Sequence, residues 1–208
     1  AERYFRKALE LEEGPEAWTG LGAVLFKMGR YDEAIEAFSR ALEEDPDFVE
    51  ALWNREAALF EAGKPKEALE DVEKMLDMDE KSLIALGRKA TLFRAAGKTR
   101  SSIRALEEVL SLRENVGLVH YSKAAALLAS GKLDEALKSA EKAARHLSFY
   151  AEAWNLKGAV LHLLGRHKDA LESFNRALEL RKEFAAALGN RAATLYACLL
   201  YTSDAADE

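Results

Sequence analysis

Residues 15–48 read PEAWTGLGAVLFKMGRYDEAIEAFSRALEEDPDF. Trp18, Leu21, Gly22 and Leu25 fall at i, i+3, i+4 and i+7, the spacing of a single helical face. Gly29 can take the left-handed conformation that closes a helix, and Arg30 complements the negative end of that helix. Asp32 and Glu33 suit the positive start of a second helix, whose facing stripe is Ala34, Phe38, Ala41 and Leu42. Asp45-Pro46 ends it, because proline disfavours helix in the residue before it. Neither helix is long enough to persist alone in water. The pair must therefore bury its stripe against itself and its neighbours.

The unit recurs. Gly29, Gly63, Gly97, Gly131 and Gly165 stand 34 residues apart, each followed by a base: Arg30, Lys64, Lys98, Lys132 and Arg166. Five residues after each glycine comes a small side chain, at Ala34, Ala68, Ser102, Ala136 and Ala170. The first and fifth copies agree best: GRYDEAIEAFSRALE (29–43) aligns with GRHKDALESFNRALE (165–179), and Trp18, Gly22 and Leu25 align with Trp154, Gly158 and Leu161. A fixed period of this length is the signature of a repeat array.

This pattern resembles the tetratricopeptide repeat. The family's run of Trp, Leu, Gly, aromatic, Gly, Tyr, Ala, Phe, Ala and Pro is met by Trp18, Leu21, Gly22, Leu25, Gly29, Tyr31, Ala34, Phe38, Ala41 and Pro46, with Leu25 the single, conservative departure. The resemblance implies an all-α fold, a right-handed superhelical solenoid of helix-turn-helix repeats. By register the copies are 15–48, 49–82, 83–116, 117–150 and 151–184. The middle copies are degenerate: Glu56 stands where a small residue should let the two helices approach, Met75 and Val109 replace Ala41, and the terminal proline is missing from copies two to five.

Both ends look cut. Residues 1–14 carry Tyr4 to Leu11, whose Phe5, Ala8 and Leu9 match Phe38, Ala41 and Leu42 as the second helix of a truncated repeat. Residues 185–197 start a sixth repeat, with Leu188, Ala192 and Leu195 in register. The pattern then fails, with Leu199 in place of the turn glycine and Asp204 in place of the alanine. Residues 198–208, CLLYTSDAADE, resemble a translated sequencing adapter and are read as a non-native tail. The chain lacks an initiator Met, so an upstream leader is left open.

Composition narrows the function. The 208 residues are 49% hydrophobic and 32% charged, with three prolines and a net charge of −6. That balance suits a helix-rich protein and argues against a nucleic-acid partner, which calls for a basic face. No apolar run approaches the roughly 20 residues that span a bilayer, so no membrane role is expected. The single cysteine, Cys198, excludes an internal disulfide framework, and the expected location is cytoplasmic.

No motif calls for chemistry. Gly97-Lys98-Thr99 imitates the end of a phosphate-binding loop, yet Leu92 occupies the required upstream glycine position and the triplet falls on the repeat's own turn. The histidines are His120, His146, His162 and His167; the last two are five apart, off a shared helical face, and no metal-ligand motif accompanies them. The expectation is no enzyme, no cofactor and no metal.

Binding is the remaining class. Arg55, Lys89, Lys123, Lys157 and Arg191 recur at one position of successive first helices. They are read as stems lying along the inter-repeat groove with heads reaching nearby Glu or solvent, although a line of bases could also steer an acidic partner. In the family, the other face of the first helices lines a concave groove. The resemblance assigns to it Thr19, Ala23 and Phe26; Trp53, Ala57 and Phe60; Gly87, Thr91 and Arg94; Tyr121, Ala125 and Leu128; Asn155, Ala159 and His162. Each trio is spaced i, i+4, i+7 and so shares a stripe.

A floor of Ala and Thr beside Trp53, Phe60 and Tyr121 suits an extended segment or an apolar helix face. Chaperone-binding members of the family hold a C-terminal carboxylate with Lys and Asn at the first two positions of the stripe. Here those positions are Thr19/Ala23, Trp53/Ala57, Gly87/Thr91, Tyr121/Ala125 and Asn155/Ala159, so no such clamp is expected. The expected function is a protein-interaction scaffold or adaptor, monomeric apart from its exposed cut ends. Two other classes stay open: a substrate-recruiting region of a larger enzyme, and an array that packs on itself.

Overall fold

The computed structural model describes residues 2–3 and 14–204. The expected half-repeat helix of Tyr4 to Leu11 lies outside the described residues. Among the described residues from 14 onward eleven helices follow one another: α1 (Pro15–Lys27), α2 (Tyr31–Glu44), α3 (Val49–Glu61), α4 (Pro65–Met78), α5 (Leu83–Ala95), α6 (Thr99–Leu112), α7 (Gly117–Ala129), α8 (Leu133–His146), α9 (Ala151–Leu163), α10 (His167–Leu180) and α11 (Ala185–Asp204). No strand occurs among the described residues. The fold is an all-α helical repeat solenoid.

The chain forms two compact units, residues 1–105 and 106–208. In the first, α1 packs on α2 and α3, α3 on α2 and α4, and α4 on α5. In the second, α7 packs on α8 and α9, α9 on α8 and α10, and α11 on α10 and α9. Each unit thus builds its core from helix pairs and the next first helix.

The glycine column sets the turns. Gly29, Gly63, Gly97, Gly131 and Gly165 have φ between 71 and 75°, and no other described residue has a positive φ. At the first turn the Gly29 N–H donates to the Phe26 carbonyl at 2.9 Å and the Arg30 N–H to the Leu25 carbonyl at 3.0 Å. This double closure satisfies carbonyls the helix end would otherwise leave bare. The base after the glycine does more than face the helix dipole. Arg30 bonds Glu33 at 2.6 Å, Lys132 bonds Glu135 at 3.0 Å and Arg166 bonds Asp169 at 2.6 Å, while Lys64 reaches back to Asp32 at 2.8 Å.

The second copy ends without the proline of the first. Its Asp79 side chain accepts from the Lys81 N–H at 3.1 Å, as Asp45 accepts from Asp47 at 3.0 Å. An Asx turn therefore replaces the proline signal. Small and large residues also trade across each pair. A Cβ on Gly22 would sit 2.5 Å from Phe38 Cε1, and one on Gly158 would sit 2.5 Å from Phe174 Cε1. The second pair has Val72 where the first has Phe38, and the freed space takes the buried Glu56. At the C-terminus α11 runs on through Cys198 to Asp204, with no glycine at 199 to stop it.

Candidate functional site

The stripes assigned to the first helices differ in how much they leave open. In the first unit Thr19 is only 3% exposed, so it offers no surface to a partner, while Phe26 is half-buried with its ring 5.4 Å from Tyr31. Trp53, Ala57 and Phe60 are half-buried on α3. On α5, Gly87 and Thr91 are half-buried, Arg94 is exposed, and the Thr91 hydroxyl donates to the Gly87 carbonyl at 3.2 Å. Trp18 is itself half-buried, packed on the cluster of Leu21, Leu25, Ala34, Ala37, Phe38 and Ala58.

In the second unit Tyr121, Ala125 and Leu128 are half-buried on α7. Burial pushes the Tyr121 hydroxyl above its ordinary pKa, helped by Tyr150 and Glu152. The Tyr121 and Tyr150 rings meet edge to face at 5.8 Å. On α9, Asn155 and His162 are already engaged by α11: Asn190 Nδ2 donates to Asn155 Oδ1 at 3.0 Å, and Thr194 Oγ1 lies 3.0 Å from His162 Nδ1.

Periodicity missed part of this surface. Ile84 is 71% exposed and Leu118 58% exposed, each one turn before a stripe already named. Their counterparts in the other copies are Glu16, Glu50 and Glu152. Phe149 is 86% exposed where the equivalent residues are Asp47, Lys81, Asn115 and Glu183. The signal was present in the sequence as apolar residues in otherwise charged columns.

The line of bases is tied down. Arg55 grips Asp71 through two hydrogen bonds, with Nε to Oδ2 at 2.9 Å, and reaches Ser39 at 3.2 Å. Lys89 lies 3.7 Å from Glu73, Lys123 donates to Glu107 at 2.7 Å, and Arg191 donates to Asn175 at 3.2 Å. Lys157 instead sits over the Trp154 ring at 5.4 Å. In four of these pairs the second residue precedes the base by 16 positions, so at all but Lys157 the column links a first helix to the helix before it. These are not free charges for steering.

Two histidine pairs meet between helices rather than along one helical face. His162 and His167 have ring centroids 5.3 Å apart, because His167 opens α10 after the turn rather than continuing α9. His120 and His146 stack at 5.9 Å. Burial drives His120 below its ordinary pKa against the pull of the Glu114 carbonyl. Among the described residues no group of three or more His, Cys, Asp or Glu is placed to hold a metal ion. No helix among them is long and apolar enough to cross a membrane.

Tetratricopeptide-repeat family models match residues 15–48 and 151–184 in one form and residues 88–148 in another, together more than half of the chain. The chain belongs to the tetratricopeptide-repeat family. Among solved structures it is similar to YrrB, described as a TPR protein with an unusual peptide-binding site, at 21% identity and TM-score 0.72, covering 92% of this chain and 100% of that one. It is also similar to MamA from Desulfovibrio magneticus RS-1, at 18% identity and TM-score 0.74 over 82% of this chain and 97% of that one. A third is TTC0263, a thermophilic TPR protein of Thermus thermophilus, at 21% identity and TM-score 0.60 over 88% and 99%. At these identities the likeness concerns the fold. No curated protein matches the chain.

Proposed function

We propose that this chain is a non-catalytic protein-interaction scaffold that takes a peptide or helix on the concave face of its first helices. The observation that carries the proposal is the apolar surface left open there, with Trp53, Phe60 and Ile84 in the first unit and Leu118 and Tyr121 in the second, where the exposed Phe149 and Tyr150 of the turn before α9 add to it. Aromatic groups ringed by small residues are the usual anchors of such recognition. Membership of a repeat family and the peptide-binding description attached to YrrB support the same reading.

The site has no carboxylate clamp, since no Lys-Asn pair occupies the first two stripe positions. Thr91, Arg94 and Leu128 complete the accessible stripe, while Asn155 and His162 shape it through α11. The partner is a protein or peptide.

Affinity capture tests this with wild type and Trp53→Ala side by side. Trp53→Ala is expected to lose about tenfold or more in partner retention, equal to about 1.4 kcal/mol. Its melting temperature should fall far less than that of a core truncation. Unchanged capture would remove Trp53 from the site, and saturable binding of an acidic chaperone-tail peptide would overturn the absence of a clamp.

A further inference from the structure

The second unit holds a cavity of about 420 Å³ between the end of α6, α7 and α8. Its origin is a substitution in the signature column. His120 occupies the place of Trp18, Leu52, Leu86 and Trp154 in the other copies. Where Trp154 fills that place, the equivalent cavity shrinks to about 240 Å³. His120 is buried and fixed, with Nε2–H donating to the Glu114 carbonyl at 2.9 Å and its ring stacked on His146.

The lining is suited to an anion with an apolar body. Leu110, Leu127 and the His120 ring supply an apolar wall. Lys123, Lys138 and Lys142 reach the same space. Lys123 is held by Glu107 at 2.7 Å, and Lys142 stands 3.6 Å from Glu114. Lys138 has no ion-pair partner among the described residues, and it replaces the Glu36, Glu70 and Glu172 of three other copies. Ser139 is only 7% exposed and lines the cavity. No hydrogen bond engages its hydroxyl among the described residues, whereas its counterpart Ser173 donates to the Asp169 carbonyl at 3.0 Å. The Ser139 oxygen keeps access to solvent, so it is free to donate to a ligand that enters the cavity.

We propose that this cavity binds a small organic monocarboxylate with a compact apolar body. The carboxylate accepts from Lys138 and the Ser139 hydroxyl, and the body lies against Leu110, Leu127 and His120. Lys123 pairs with Glu107, Lys142 with Glu114 and Glu135 with Lys132, so Lys138 carries the one positive charge of the lining that no carboxylate offsets, which matches a monoanion. The volume lies in the range of ordinary small-ligand pockets.

The test is titration of the full chain with phenylacetate and with neutral phenylacetamide, followed by amide NMR spectra. Phenylacetate should give saturable shifts at Leu127, Ser139 and their neighbours, and the amide should bind at least about tenfold more weakly. Lys138→Glu, an exposed change to the residue found in three other copies, should weaken phenylacetate about tenfold without altering the melt. His120→Trp should fill the cavity and abolish the shifts. No saturable shift at these residues up to about 10 mM phenylacetate overturns the proposal, as does equal binding by the amide or by Lys138→Glu.

Discussion

Glu56 occupies the position where Gly22 and Gly158 let two helices touch, and it is 1% exposed. Its carboxylate is held by Arg88, with Nη2 donating to Oε1 at 2.6 Å and Nε to Oε2 at 3.1 Å, and Arg88 lies over the Phe60 ring at 5.3 Å. Burial pushes the Glu56 carboxyl above its ordinary pKa, Arg88 pulls it down, and nearby Asp71 pushes it up. Arg88 is a third exposed and can turn to water, whereas Glu56 cannot. Arg88→Ala should therefore destabilise by about 2–4 kcal/mol, and Glu56→Ala by distinctly less. A carboxyl with a raised folded pKa binds its proton more tightly folded than unfolded, so its cost is full above that pKa and is relieved as pH falls through it. The Arg88→Ala deficit should thus shrink as pH falls from neutrality toward the acid range, as read by urea midpoints. The misfit of Glu56 was legible in the sequence because its column is otherwise small. Its remedy was not, because Arg88 is 32 residues away on the next first helix and no local period connects them.

At the scale of the helix pair, two kinds of glycine serve two different physical needs. Gly131 has φ 71°, and a Cβ there would meet nothing within 4 Å, so only its backbone conformation demands glycine. Gly22 lies within a helix, and a Cβ there would strike the Phe38 ring. Gly131→Ala should cost about 1–2 kcal/mol from the left-handed conformation alone. Gly22→Ala should cost about 1–3 kcal/mol from overpacking. Phe38→Leu should recover part of the second loss and none of the first, which denaturation of the single and double variants would show. Full additivity of Gly22→Ala with Phe38→Leu would count against the packing account. Helices and turns were legible because each depends on spacing within one pair. Which stripe residues stay open depends on packing beyond the spacing within one pair, so periodicity did not mark Thr19 as buried or Ile84, Leu118 and Phe149 as open. The His162–His167 approach was missed for a related reason: five residues span a turn there, not one continuous helix.

For the whole chain, a stack of pairs gains stability from nearest neighbours rather than from one central core. Phe38 and Phe174 are fully buried, one in each compact unit, each beneath the glycine of its own pair. Either Phe→Ala change should cost about 3–5 kcal/mol where it is made. Residues without shared partners add to within about 0.5 kcal/mol, so the double variant should lose the sum. Native-state hydrogen exchange separates local from global effects. Phe38→Ala should speed amide exchange in α1 to α4 and leave α8 to α10 near their wild-type rates, with Phe174→Ala giving the reverse. Equal acceleration throughout by either variant would mean that the array unfolds as one cooperative block. Loss of the signature aromatic in one pair would then propagate to every site on the chain, including the cavity beside His120 and the open faces of α3 and α7. Independent responses would instead mean that each unit can vary its surface while the other keeps its fold, which is how the middle copies could lose their signature residues and remain in register.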